Sequence, residues 1–255
     1  MNNPVSTGYS SEAQQFIDRL DPDPGTDRKD LYADLIDALV AAGAWTGIDV
    51  LQVYAADSEA NAVRNLKSAT PSATPVNSPT FTIDEGYTGA FVGGKYVNTG
   101  FNASTFGGNY TQNAACLGAW SLTATLGNEG IVGGFSAATG QTIYPKHTGS
   151  TYMRINDNPE TGGFANGSDT TGFYFGVRTG ANGRTGYRNG VSIGDYGGDD
   201  PSQAPNNTDV TVPTAESALA TNGQVACFIA GGNLDSQQGA IYSALLAYLQ
   251  AVGAV

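Results

Sequence analysis

The groups in this chain that could do chemistry are few and scattered: 23 Asp and Glu, 11 Lys and Arg, two cysteines and one histidine. Glycoside hydrolysis would need two carboxylates facing one cleft, about 5–5.5 Å apart for retention or about 6.5–9.5 Å for inversion. On a strand that means a spacing of two or four residues, because alternate side chains share a face. Asp84 and Glu85 are adjacent and so point to opposite faces, while Asp157 and Glu160 flank Pro159 in what reads as a turn. His147 follows Pro145-Lys146 in a polar stretch and reads as an exposed loop residue, and no G-x-S-x-G elbow accompanies it. The residues predict a protein that is not an enzyme.

Metal and phosphate chemistry fare little better. One His and two distant Cys do not make a zinc site, and the paired glycines lack the Lys-Ser/Thr that follows a phosphate-cradling loop. Cys116 and Cys227 sit in apolar, strand-like segments without CxxC spacing and read as free, buried thiols. Calcium alone stays open, through the hard oxygens of Asn156-Asp157-Asn158 and of Asp195, Asp199 and Asp200. Turns recruit the same residue types and no EF-hand spacing occurs, so no cofactor is expected.

What stands out is loop composition. Tyr, Asn, Ser, Thr and Gly dominate residues 102–113, 161–171 and 196–207. Aromatic rings give contact area at low entropy cost, and small polar side chains give adaptable hydrogen bonds, which suits sugar faces and hydroxyls. Tyr110, Tyr174, Tyr187, Asn189, Tyr196 and Asp199 are the candidate carbohydrate-binding residues. The same composition also fits ordinary turns, or contacts within an oligomer.

These loops need a scaffold. Residues 11–20 suggest a short helix before the breaker run Asp21-Pro22-Asp23-Pro24-Gly25. Leu31, Leu35, Ile36, Leu39 and Val40 recur at helical spacing, with Asp27 as cap and Gly43 at the C′ position, predicting a helix over 28–42. A buried strand is expected within 45–54, then a short helix over 58–66, then a Pro-broken boundary near residue 75. Three parts follow: an N-terminal arm 1–27, a helix-strand-helix lead-in 28–75, and a sandwich with a terminal helix 76–255.

In that third part short apolar runs at 96–99, 117–123, 151–155, 173–178, 210–212 and 225–230 read as strands, separated by glycine pairs and Asn-Gly turns. Asn189-Gly190 between alternating side chains specifies a two-residue type I′ hairpin over 184–193. Asp235 with Gln238 resembles a capping box, and Ala240, Ile241, Ala244, Leu245, Tyr248, Leu249 and Val252 form the apolar stripe of a final helix. The fold class is mainly β, a two-sheet sandwich with helical segments at both ends of the chain.

A net charge of −12, with no basic stripe among the cations, argues against nucleic acid and anionic membranes as partners. Residues 1–30 hold no signal-peptide core, and no run of about 20 apolar residues predicts membrane insertion.

Four segments carry a resemblance. Phe81-Thr82-Ile83-Asp84-Glu85-Gly86-Tyr87-Thr88-Gly89, Tyr96-Val97-Asn98-Thr99-Gly100-Phe101-Asn102, Tyr187-Arg188-Asn189-Gly190 and Phe228-Ile229-Ala230-Gly231-Gly232 together resemble the concanavalin A-like (lectin/glucanase) jelly-roll proteins of tailed-phage and gene-transfer-agent virions. The likeness spans residues 28–255 and includes head spikes and tail fibres. It implies a jelly roll, a virion location after synthesis in a bacterial cytoplasm, a homo-oligomer, and other virion proteins and host-surface polysaccharide as partners. No catalytic or ligand residue carries across with it.

Overall fold

The computed structural model describes residues 8–124, 129–135, 140–147, 149–157, 163–164, 171–216 and 219–255, without the side chains of 135, 197–200, 215–216 and 219. The chain opens with α1 (Ser11–Ile17) and α2 (Thr26–Ala41), then a 3-10 turn, Trp45–Gly47, leads into β1 (Ile48–Val53) and α3 (Glu59–Ala62). Next come β2 (Thr74–Val76), β3 (Thr80–Thr82), β4 (Gly86–Thr88), β5 (Tyr96–Asn102) and β6 (Ala115–Ser121). β7 (Val132–Phe135), β8 (Gly140–His147), β9 (Ser150–Asp157), β10 (Gly172–Arg178), β11 (Asn182–Arg188) and β12 (Val191–Pro201) follow. β13 (Asp209–Val212), β14 (Thr214–Glu216), β15 (Leu219–Ala220), β16 (Gln224–Gly231) and α4 (Gln238–Val252) complete it.

The strands form two packed antiparallel sheets. One runs β12-β11-β10-β6-β16-β4-β3, with β1 also on β16; the other runs β2-β5-β13-β7-β8-β9, and β14 and β15 pair separately. Between the sheets lie Leu117, Ala119, Tyr174, Phe228 and Ala230 from the first, against Val97, Phe101, Val210, Ile143, Met153 and Ile155 from the second. On the first sheet's other face Cys116, Trp120, Phe173, Phe175, Cys227 and Ile229 meet the helices. β6, β10 and β16 are therefore buried on both faces, which is why they read as continuous apolar runs rather than alternating ones.

That helical layer is continuous with the sandwich. Phe16 of α1 meets Tyr32 of α2 edge-on at 5.1 Å, and Tyr32 stacks on Tyr248 of α4 at 5.4 Å. Ala13, Phe16 and Ile17 are buried, so one face of α1, within the N-terminal arm 1–27, packs into the core. Likewise β1 pairs with β16 from Ile48↔Gly231 to Val53↔Cys227, so the Pro-broken stretch near 75 divides the sequence without dividing the fold.

Local signals held with small shifts. α2 begins after Gly25 at φ +83° rather than capped by Asp27, and ends at Gly43 at φ +68°, the left-handed C′ position. Asn189 (φ +50°) and Gly190 (φ +74°) form the type I′ turn between β11 and β12. Ser58 caps α3, which is only four residues long. Asp235 opens a 3-10 turn before α4 and accepts a hydrogen bond from the Tyr187 hydroxyl at 2.6 Å instead of closing a capping box. Ala240, placed on the apolar stripe by its spacing, is exposed, while Ile241, Ala244, Leu245, Tyr248 and Leu249 are buried. Among the described residues no helix is long and apolar enough to cross a membrane.

Candidate functional site

The six candidate residues separate between the two ends of the sandwich. Tyr110 is buried, its ring edge-on to Phe101 and its hydroxyl donating to Asn156 Oδ1 at 3.0 Å. Tyr174 has no exposed surface, and the Arg188 guanidinium lies 5.7 Å from its ring. Both side chains are interior because β10 and the 107–110 loop face the inter-sheet core, so neither presents a surface to a ligand from solvent. Tyr196 is half-buried beside Arg184, whose guanidinium stands 5.1 Å from its ring. The Asp199 side chain lies outside the described residues, although its backbone belongs to β12. Tyr187 is tied through Asp235 to the 3-10 turn that precedes α4; burial, then that hydrogen bond, raises its phenol pKa.

Asn189 alone lines an open cleft. This cleft, about 330 Å³, lies where β6 ends and β10 begins, walled by Trp120, Ser121, Leu122, Thr171, Gly172, Asn189, Tyr242, Ala254 and Val255. The type I′ turn sets its geometry: Asn189 Oδ1 accepts from the Phe173 N–H at 2.8 Å and the Asn189 N–H donates to the Phe173 carbonyl at 2.9 Å. Gly172 sits at φ +112°, and a Cβ there would fall 2.3 Å from Asn189 Oδ1, so the turn can close only over glycine. Tyr242 of α4 lies parallel to Trp120 at 5.6 Å and 10°, and Trp120 stacks in turn on Phe173 at 5.8 Å. The inner rings are buried, leaving half-buried Tyr242 as the aromatic face next to solvent. Among the described residues no carboxylate side chain, histidine or thiol lines the cleft, and an aromatic wall meets the Asn189 amide and Thr171 there, a geometry that suits binding.

The opposite end is closed by buried polar groups. Asp49 Oδ1 accepts from Asn109 N at 2.8 Å and its Oδ2 from Tyr110 N at 2.7 Å, drawing residues 108–110 onto β1. Asp157 Oδ2 pairs with Arg184 at 2.8 Å, both side chains 2% exposed. Asn156 Nδ2 donates to the Thr111 and Gln112 carbonyls. Two of the calcium candidates, Asn156 and Asp157, thus hold loops and a guanidinium. Asp195 is exposed on β12, and Asn158 and the Asp200 side chain lie outside the described residues. Among the described residues no group of three His, Cys, Asp or Glu could hold a metal ion.

The remaining candidates for chemistry are similarly engaged. Asp84 pairs with Arg28, and Glu85 accepts from Gln224 at 3.1 Å. Glu160 lies outside the described residues. His147 ends β8, half-buried between the Tyr144 and Tyr152 rings at 5.3 and 5.1 Å, rather than in an exposed loop. Both cysteines are free and buried; burial pushes the Cys227 thiol to about 12 and that of Cys116 well above its ordinary value, which keeps them unreactive. Trp120 and Tyr242 were missed by the loop-composition argument because they sit on a strand and a helix. One signal could have found Tyr242, an aromatic residue off the apolar stripe of its own helix.

No family model matches the sequence, and no curated protein matches it. Solved structures do. The botulinum neurotoxin serotype D binding domain matches at 10% identity and TM-score 0.51, over 78% of this chain and 52% of that one. Domain 4 of AbnA, a GH43 extracellular arabinanase from Geobacillus stearothermophilus solved with arabinotriose, matches at 11% and TM-score 0.48, over 77% and 98%. The Trypanosoma rangeli sialidase matches at 9% and TM-score 0.49, over 86% and 39%. This chain spans about half the length of the neurotoxin domain. At such identities the likeness is one of fold: a β-sandwich.

Proposed function

We propose that the chain is a non-catalytic, glycan-binding sandwich that serves a phage-like particle as a spike, fibre or decoration component, contacting host-surface polysaccharide. One observation carries the glycan half: an open cleft walled by Tyr242 on Trp120, edged by the Asn189 amide and Thr171, with no carboxylate side chain among the described residues of its lining. An aromatic face takes the apolar side of a sugar ring while neighbouring amides and hydroxyls take its hydroxyl groups. The absence of catalysis is supported by the engagement of Asp84, Glu85 and Asp157 with other side chains. The particle half, with its virion location and virion partners, rests on the resemblance of residues 28–255 and is a fold-level argument.

The test is a screen of the purified chain, displayed multivalently, against capsular and lipopolysaccharide preparations. Wild type is expected to bind at least one, and Tyr242→Ala to lose roughly tenfold or more in affinity, the equivalent of about 1.4 kcal/mol. Uniform absence of binding removes the glycan half; immunogold labelling of purified particles that finds no chain removes the other. A purely architectural subunit is the second reading, favoured by Tyr110 and Tyr174 lying in the core.

A further inference from the structure

The cleft end of the molecule carries a second feature, a knob. Between β4 and β5 the chain turns through Phe91 and Val92, which are 62% and 83% exposed. This tip is held firmly: Ala90 and Lys95 exchange backbone hydrogen bonds at 3.1 and 3.0 Å. Asn222 Oδ1 accepts from the Phe91 N–H at 3.2 Å, and Asn77 Nδ2 donates to the Gly94 carbonyl at 2.9 Å. The strand order β10-β6-β16-β4 sets knob and cleft on one end of the same sheet, with one strand between β6 and β4. That is about 10 Å across, at ~4.8 Å per strand. Val191 and Val255, 67% and 50% exposed, lie at this end too, one following the Asn189-Gly190 turn and the other in the cleft wall.

The charge pattern singles this end out. Among the described residues, 89–95, 121–124, 171–172, 189–191, 222–223 and 254–255 at this end include no Asp or Glu and one cation, Lys95, in a chain of net charge −12, while at its border Arg188 reaches the Thr171 carbonyl and Glu85 reaches Gln224, each at 3.1 Å. Glu129 also borders the face, beside Gly130, whose carbonyl accepts from Thr221 Oγ1 at 2.8 Å. Two copies of so acidic a molecule repel one another, and they can approach closely only through a face with few carboxylates. A two-fold interface further demands that one patch be complementary to itself. A protruding apolar knob and an aromatic-walled hole on the same patch meet that demand.

We infer that the cleft end pairs with a second copy of this chain about a two-fold axis, the Phe91-Val92 knob of each copy seated in the Trp120/Tyr242 cleft of the other. The pairing stands apart from the glycan reading, since its readout needs no sugar. Where both hold, sugar and second copy compete for one cleft, and each weakens the binding of the other.

Sedimentation velocity of the full chain over a concentration series tests this, with Phe91→Ser/Val92→Ser as the knob variant and Ile83→Ser as the control. Ile83 is as exposed as Phe91, at 60%, but lies in the turn that precedes β4. Wild type and the control are expected to dimerise reversibly, and the knob variant to associate roughly tenfold or more weakly, as loss of two apolar side chains from an interface requires. The knob side chains are exposed, so the variant keeps its core, and circular dichroism verifies it. A wild type that stays monomeric throughout, or a knob variant that dimerises as tightly as wild type, overturns the proposal. Either result leaves the glycan screen to be read on its own terms.

Discussion

The two ends of this sandwich are built from similar loop sequences and behave oppositely. At one end, Asp49 grips the backbone of Asn109 and Tyr110, and Asp157 is sealed against Arg184. At the other, a tight Asn-Gly turn closes on itself and leaves a cleft and a knob open to solvent. A loop rich in Tyr, Asn and Gly thus stays open to solvent only where no distant buried charge has already claimed its hydrogen bonds. Loop composition alone does not distinguish the two cases.

The comparison breaks most visibly at the closed end. Asp157→Ala leaves Arg184 buried without its carboxylate partner and is expected to cost about 3–5 kcal/mol. A urea midpoint close to wild type would show that the pair does not hold that end. Asp49→Ala removes two backbone hydrogen bonds to a charged acceptor, each worth roughly 1.5–3 kcal/mol. Its specific sign is accelerated hydrogen exchange at the Asn109 and Tyr110 amides, with the Asn189 and Phe173 amides unchanged.

A smaller effect comes from alkali. Burial holds the Tyr110 phenol well above its ordinary 10.0, so above that value the unfolded chain releases the proton first. The stability involved is intact below pH 10.0 and is lost as pH rises towards the folded pKa. The slope contributed is at most about 1.4 kcal/mol per pH unit. Denaturant titrations across roughly pH 9–11, bracketing the ordinary phenol value, should fall less steeply for Tyr110→Phe than for wild type. Equal slopes would mean that the phenol is not sealed.

At the open end the stability effects are smallest. Tyr242→Ala loses one ring stack on Trp120, worth about 0.5–1.5 kcal/mol beyond its area burial. Its larger consequence should be in sugar binding, and a variant that unfolds as readily as Asp157→Ala would place Tyr242 with the structural residues instead.

Much of the scaffold was legible in the chain. The Asn189-Gly190 hairpin, the strands around residues 96, 117, 173 and 225, and the last helix follow from turn chemistry and hydrophobic spacing, which are local. Partnerships across long stretches of chain were not legible. Nothing near Tyr110 announces that Asp49 holds its N–H, and nothing near Ser11 announces that Phe16 meets Tyr32. Tyr174 could not be assigned a side because β10 is apolar on both faces, so alternation gave no inside or outside. The cleft joins a strand end, a turn and a helix, and no single segment carries its pattern.

The helix that roofs the first sheet has one more consequence, for synthesis. Trp120, Phe173 and Cys227 lie beneath a layer to which α4 contributes Ile241, Leu245 and Leu249. On the ribosome every strand of that sheet has been made before α4 emerges. A nascent chain halted before residue 238 would display a broad greasy plane, an obvious mark for chaperones and proteases to read as unfinished.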